Sequence, residues 1–164
     1  MNIKNKNVLI IGPPASGKTT LANELQKVNK HCLVHTDDYM VYPYEEALYI
    51  MMEDMKKLTY PTIIEGVQGY RLLRKGVQLG TYFPDLVIEM EVTREQQAAI
   101  YESERDPAKL KYLKGFAAAH QKILNDYFEL IGDRKPEWIK VNIHQPRPNF
   151  KKGGIETGDG EYKL

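Results

Sequence analysis

Val8-Leu9-Ile10-Ile11 runs directly into Gly12-Pro13-Pro14-Ala15-Ser16-Gly17-Lys18-Thr19, and Thr20 leads a stretch whose Leu21, Leu25 and Val28 fall on one helical face. An apolar strand, a glycine-spaced turn ending in Lys-Thr and an amphipathic helix follow one another in that order. The turn matches the phosphate-binding pattern G-x-x-x-x-G-K-[ST] at every fixed position. Glycines at those places let backbone N–H groups turn inward around phosphate oxygens, and a helix starting near Gly17 adds the positive end of its dipole. The pattern implies a nucleoside triphosphate, ATP, held by Gly12 to Thr20, with Lys18 on the β and γ phosphates and Thr19 on Mg²⁺.

Four more strand-like runs follow: His31-Cys32-Leu33-Val34-His35, Pro61-Thr62-Ile63-Ile64-Glu65, Asp85-Leu86-Val87-Ile88-Glu89-Met90-Glu91 and Trp138-Ile139-Lys140-Val141-Asn142-Ile143. Amphipathic stretches separate them, so the expected fold is α/β, a three-layer sandwich with a five-stranded parallel sheet and a short lid. The clearest helix is read over 107–131, where Leu110, Leu113, Ala117, His120, Leu124, Tyr127 and Ile131 recur at three- and four-residue spacing. On that stripe His120 reads as a core residue, and Gly115 as a point where the helix is weakened or bent.

The chain has 164 residues, of which 42% are hydrophobic, which suits one domain, set at 1–145. Residues 146–164, with two prolines and four glycines, are expected to form a flexible or hairpin tail. The single cysteine, Cys32, lies in an apolar run and reads as a structural thiol in a reducing compartment. No apolar stretch approaches the roughly 18 residues of a membrane span, so a cytoplasmic protein without a membrane partner is expected.

In open α/β sheets ligands bind beyond the carboxyl ends of the strands, which directs attention to the residues that follow each strand. After the second come Thr36-Asp37-Asp38-Tyr39, where one carboxylate can deprotonate an attacking hydroxyl, or the pair can cap a helix. After the third comes Glu65-Gly66, an acid placed to hold a water on Mg²⁺. After the fourth, Arg94 and Arg105 bracket a segment that can close over a triphosphate and neutralise charge developing in transfer.

Together, Gly12 to Thr19, Asp37-Asp38-Tyr39, Ile63-Ile64-Glu65-Gly66 and Glu91-Val92-Thr93 leading to Arg105-Asp106 resemble the P-loop kinases of the uridine kinase and nicotinamide riboside kinase group. The Asp-Asp-Tyr step is also similar to the phage polynucleotide 5′-kinases. The resemblance spans about residues 5–143 and implies a phosphotransferase with an alcohol acceptor. It implies Lys18, Asp37, Asp38 and Arg105 as catalytic residues, Arg94 as a nucleotide contact, and Thr19 and Glu65 as the metal-holding pair. Tyr39, Tyr42, Glu65, Gly66 and Arg71 are the expected acceptor contacts. The chain departs from these families in having no arginine between Arg94 and Arg105, where Lys109 or Lys111 can substitute, and in having Met40 after the Asp-Asp-Tyr step. Adenylate-kinase-like enzymes carry an Asp-Gly-Phe-Pro-Arg type of sequence, but here it reads Glu65-Gly66-Val67-Gln68-Gly69-Tyr70-Arg71, which argues against a monophosphate acceptor unless Arg71 and Arg74 bind it.

Charge is unevenly spread although the net is only +1. Residues 36–65 carry seven acids against Lys56 and Lys57, whereas Arg105, Lys109, Lys111, Lys114 and Lys122 face only Asp106 over 105–124. Such blocks are solvated faces, or else the basic ones gather around phosphates. Tyr39, Tyr42, Tyr44 and Tyr49 either pack or stack on a base or sugar. The acidic block repels a polyanion, so a small nucleoside-like acceptor is expected. The alternatives are a hydroxyl of DNA, at a 5′ end or on a hydroxymethylated base, and a nucleotide-binding module without catalysis.

Overall fold

The computed structural model describes residues 2–144; the tail read from Pro146 to Leu164 lies outside the described residues. Five parallel strands form one sheet in the order β2-β3-β1-β4-β5: β1 Val8–Ile11, β2 Cys32–His35, β3 Thr62–Glu65, β4 Leu86–Met90 and β5 Glu137–Val141. All five expected strands are present, trimmed or shifted by a residue or two. Between them lie α1 (Lys18–Lys27), α2 (Tyr44–Met55), α3 (Gly69–Leu79), α4 (Arg94–Glu104) and α5 (Leu113–Ile131).

The central place of β1 explains why all four of its residues are apolar and buried, since helices cover both its faces. Alternation divides the strand residues between two cores. Val8 and Ile10, with Ile63, Leu86 and Ile88, pack on Leu21, Ala22 and Leu25 of α1. Leu9 and Ile11, with Ile64 and Val87, pack on the opposite face against α2, α3 and α5. The chain leaves β1 in one direction to reach β2, then crosses back over β1 from β3 to β4. That reversal opens a crevice at the carboxyl ends of β1 and β3.

The long helix begins later than its periodicity suggests. Residues Pro107–Tyr112 form a 3₁₀ turn, whose first amides are met by the Asp106 carboxylate accepting from Ala108 N at 3.0 Å, and the α-helix starts at Leu113. Gly115 falls within its first turn, with open space where a side chain would stand, and the helix runs on through it to Ile131. The apolar stripe is also not one core face. Leu124, Tyr127 and Ile131 are buried against the sheet, but Leu110 and Leu113 are half-buried and Ala117 is exposed. Leu124→Ala should therefore cost about 2–5 kcal/mol in urea unfolding, while Leu113→Ala should cost less than about 1. Equal losses would put the whole stripe in the core.

Candidate active site

The loop after β1 folds back on itself because two positions have no room for a side chain. A Cβ on Gly12 would lie 2.6 Å from Ser16 Oγ and 2.8 Å from Met90 Cβ. Gly17 takes φ +95°, and a Cβ there would lie 2.2 Å from Ile143 Cδ1. Ala15 also adopts positive φ, at 68°, without a glycine to announce it. Gly17 caps α1 with no side-chain hydrogen bond, and Ser16 Oγ is buried without a partner among the described residues. A buried hydroxyl left unpaired at a helix N-terminus fits a loop made to meet phosphate oxygens.

Lys18 is 8% exposed and donates from Nζ to the Pro13 carbonyl at 2.8 Å. Burial lowers its ammonium from the ordinary lysine range to about 8, against the opposing pull of Glu65 and Asp37, and with a further push down from Arg105. Three expected site residues, each carried on a different element, thus act on one ammonium. Thr19 Oγ1 donates to Glu65 Oε2 at 3.1 Å, and the same carboxylate oxygen accepts from His35 Nδ1. Thr19 and Glu65 are thereby adjacent, as a shared metal site requires. His35 was not singled out from sequence. It is set by the β2–β3 register, which pairs His35 with Glu65, a relation that composition cannot reveal.

Asp37 and Asp38 stand exposed in the 3₁₀ turn Thr36–Tyr39, which has no side-chain cap, so neither acts as the cap of that turn. Gly66 takes φ +143°, and a Cβ there would overlap Thr36 Oγ1 at 1.8 Å, so this glycine lets the end of β3 close against the turn that carries the two acids. Tyr39 donates to Asp54 Oδ2 at 2.7 Å; burial, helped by that carboxylate, pushes its phenol up to about 12. Tyr42, Tyr44 and Tyr49 are exposed rather than packed, and Tyr42 lies 6.2 Å from Tyr39 between ring centroids. Arg71 sits 3.6 Å over the Tyr44 ring and donates to Gln68. Arg74 is engaged elsewhere, donating to Asp126 of α5 at 2.8 Å.

The segment bracketed by the two arginines is α4, opened by a Thr93–Gln96 capping box. Gln97, unremarked in the sequence, donates to the Pro14 carbonyl at 3.0 Å and holds this helix on the loop. Arg94 and Arg105 are exposed at its two ends. A cavity of about 380 Å³ lies between Pro13, Arg94 and Gln97 on one side and Leu110, Leu113 and Lys114 on the other. Lys109, Lys111, Lys114 and Lys122 are exposed, as a solvated face would be. No helix among the described residues is long and apolar enough to cross a membrane.

No family model matches the chain, and no curated protein matches it. Solved structures do. Shikimate kinase from Acinetobacter baumannii, in complex with shikimate, matches with a TM-score of 0.55 at 12% identity, over 86% of this chain and 85% of that one. A gluconokinase from Sinorhizobium meliloti matches with a TM-score of 0.55 at 13% identity, over 87% and 85%. Deoxyadenosine kinase from M. mycoides, with bound dATP, matches with a TM-score of 0.55 at 13% identity, over 96% and 100%. At such identities the likeness establishes the fold: the five-stranded parallel α/β fold of P-loop kinases.

Proposed function

We propose that the protein is an ATP-dependent phosphotransferase that moves the γ-phosphate of ATP to a hydroxyl of a nucleoside-like small molecule. The observation that carries this reading is the phosphate-binding loop itself, with Lys18 buried on the Pro13 carbonyl and Thr19 bonded to Glu65, while the charges of Asp37, Glu65 and Arg105 all act on that ammonium. The names of the three similar structures, kinases for shikimate and deoxyadenosine and a gluconokinase, add support for a small acceptor.

In this reading the loop amides and Lys18 hold the phosphates, with Arg94 a further nucleotide contact, and Thr19 and Glu65 would hold Mg²⁺, which supplies neutralisation of phosphate charge when bound. His35 fixes the Glu65 carboxylate. The acceptor oxygen forms a bond to the γ-phosphorus as the bond from that phosphorus to the bridging oxygen breaks, and ADP leaves. The hydroxyl proton passes to Asp37, with Asp38 beside it as second base. Arg105 offsets negative charge building on the transferred group. Tyr42 and Arg71 form the acceptor side with Gly66, while Tyr39 contributes its ring, since its hydroxyl is bound to Asp54. The engagement of Arg74 with Asp126 adds to the case against a monophosphate acceptor.

Transfer of γ-labelled phosphate from ATP to separate pools of nucleosides, nucleoside monophosphates and DNA with normal or hydroxymethylated bases tests the reading, with Lys18→Ala as control. Label should move to the nucleoside pool and vanish in the control; label on DNA alone would overturn the small acceptor. Asp37→Asn should lower transfer about 10²-fold or more while ATP affinity stays within about twofold. Full turnover in that variant would remove Asp37 from the base role.

The lowered Lys18 basicity gives a second test. The folded chain disfavours the charged form relative to the unfolded one, so this penalty on folding holds below about 8 and lifts as pH rises toward the unfolded value of 10.5. Phosphate charge reverses the shift, so ATP binding at pH 9 should be accompanied by proton uptake at this site. Calorimetry in buffers of different ionisation enthalpy reads this uptake, which Lys18→Met should abolish. Binding heats independent of buffer in the unaltered protein would contradict it.

A further inference from the structure

On the split stripe of α5, His120 stands between Leu113 and Ala117, which line the cavity beside Pro13 and Arg94, and Leu124, which is buried in the core. Its ring stacks on Tyr70 of α3, with centroids 4.1 Å apart and planes at 6°, and Phe116 lies one turn further out at 6.3 Å and 14°. Tyr70 is buried, His120 half-buried and Phe116 exposed, so three near-parallel rings step outward from the core. The innermost is fixed in place, because Tyr70 packs with Leu72 and Leu73 in the core beneath α5.

Two features set His120 apart from a packing residue. The chain has four histidines. His31 bonds the Lys6 carbonyl, His35 the Glu65 carboxylate and His144 the Ala15 carbonyl, but neither ring nitrogen of His120 has a partner among the described residues. The ring is also close enough to Lys18 to feel its charge; burial first, and that ammonium second, hold the imidazole below its ordinary value. A neutral imidazole offers one N–H donor and one bare acceptor.

Resting on the phosphotransferase reading above, we propose that His120 binds the acceptor: a ring nitrogen hydrogen-bonds an uncharged polar group of it, and Phe116 covers its planar part. The acceptor class this selects is a neutral molecule with a flat ring bearing hydrogen-bonding groups, as a nucleoside base has. A ring held by stacking loses little freedom on forming such a bond, which suits a residue that reads a substrate rather than one that moves.

Steady-state kinetics with the nucleoside pool, varying acceptor and ATP separately, tests this with His120→Phe, which keeps the stack and removes the nitrogens, and His120→Asn, which keeps a donor and an acceptor. His120→Phe should raise the acceptor KM about tenfold, the size of one hydrogen bond, while the ATP KM and the melting temperature stay unchanged. His120→Asn should recover most of that loss. An acceptor KM unchanged in His120→Phe would overturn the assignment while the kinase reading stands. Failure of the unaltered protein to label any nucleoside would overturn the small-acceptor reading and this inference with it.

Discussion

An ammonium group taken almost wholly out of water loses hydration worth on the order of several kcal/mol, and the fold has to return it. For Lys18 the return comes from the Pro13 carbonyl and from the fields of Glu65 and Asp37. The carbonyl reaches it only because the loop curls back, and the loop curls only because Gly12 and Gly17 carry no side chain. The carboxylates come near only because β2 and β3 end level with β1. The cost is not fully met, which is why the ammonium is held less basic than an exposed lysine. A cation in that state has more to gain from a polyphosphate than a hydrated one has.

Strand register carries that requirement into the sheet. Glu65 is the last residue of β3, paired with Ile10 on one side and His35 on the other. It shares the face of Ile63, which packs on α1, and so meets Thr19 at the start of that helix. A one-residue slip of β3 would turn Glu65 toward α3 and bring Ile64 to the loop, losing the Thr19 and His35 bonds together. The slip is opposed because it would carry Glu65 onto the face that Ile64 shares with Leu9 and Ile11, an apolar core with no partner there for a carboxylate among the described residues. Core packing and site geometry are in this way one constraint.

How much of this was legible in the sequence depends on whether the signal is local. The phosphate-binding loop was, since its fixed residues lie within eight positions and answer a steric need at each. The strands were, as apolar runs bounded by turns. The α5 stripe was only half legible: periodicity says which residues share a face, not what covers it. Leu113 and Leu124 are equivalent in pattern, yet one faces a cavity and the other the sheet. His35 and Gln97 were missed because their roles come from partners 30 and 83 residues away. For the tyrosines the sequence left packing and stacking both open, since an aromatic at helical spacing serves either, and Tyr42, Tyr44 and Tyr49 stand outside the core.

The two arginines expected on the lid act at separate places. Arg94 opens α4 and Arg105 follows its end; the helix has 11 residues, so they lie about 16 Å apart along its axis. Gln97 ties the first turn to the loop at Pro14, and Asn142, just beyond β5, donates to Gln96 of the same turn. The start of α4 is therefore fixed against β1 and β5, whereas its far end runs into the exposed Pro107–Tyr112 turn. Arg94 belongs to the fixed end and lines the cavity with Lys114. Arg105 belongs to the free end, and its charge reaches Lys18 while its guanidinium rests 5.5 Å over Tyr101. In the phosphotransferase proposed above, closure over a phosphate would need motion of this end alone, with Arg105 leaving the Tyr101 ring.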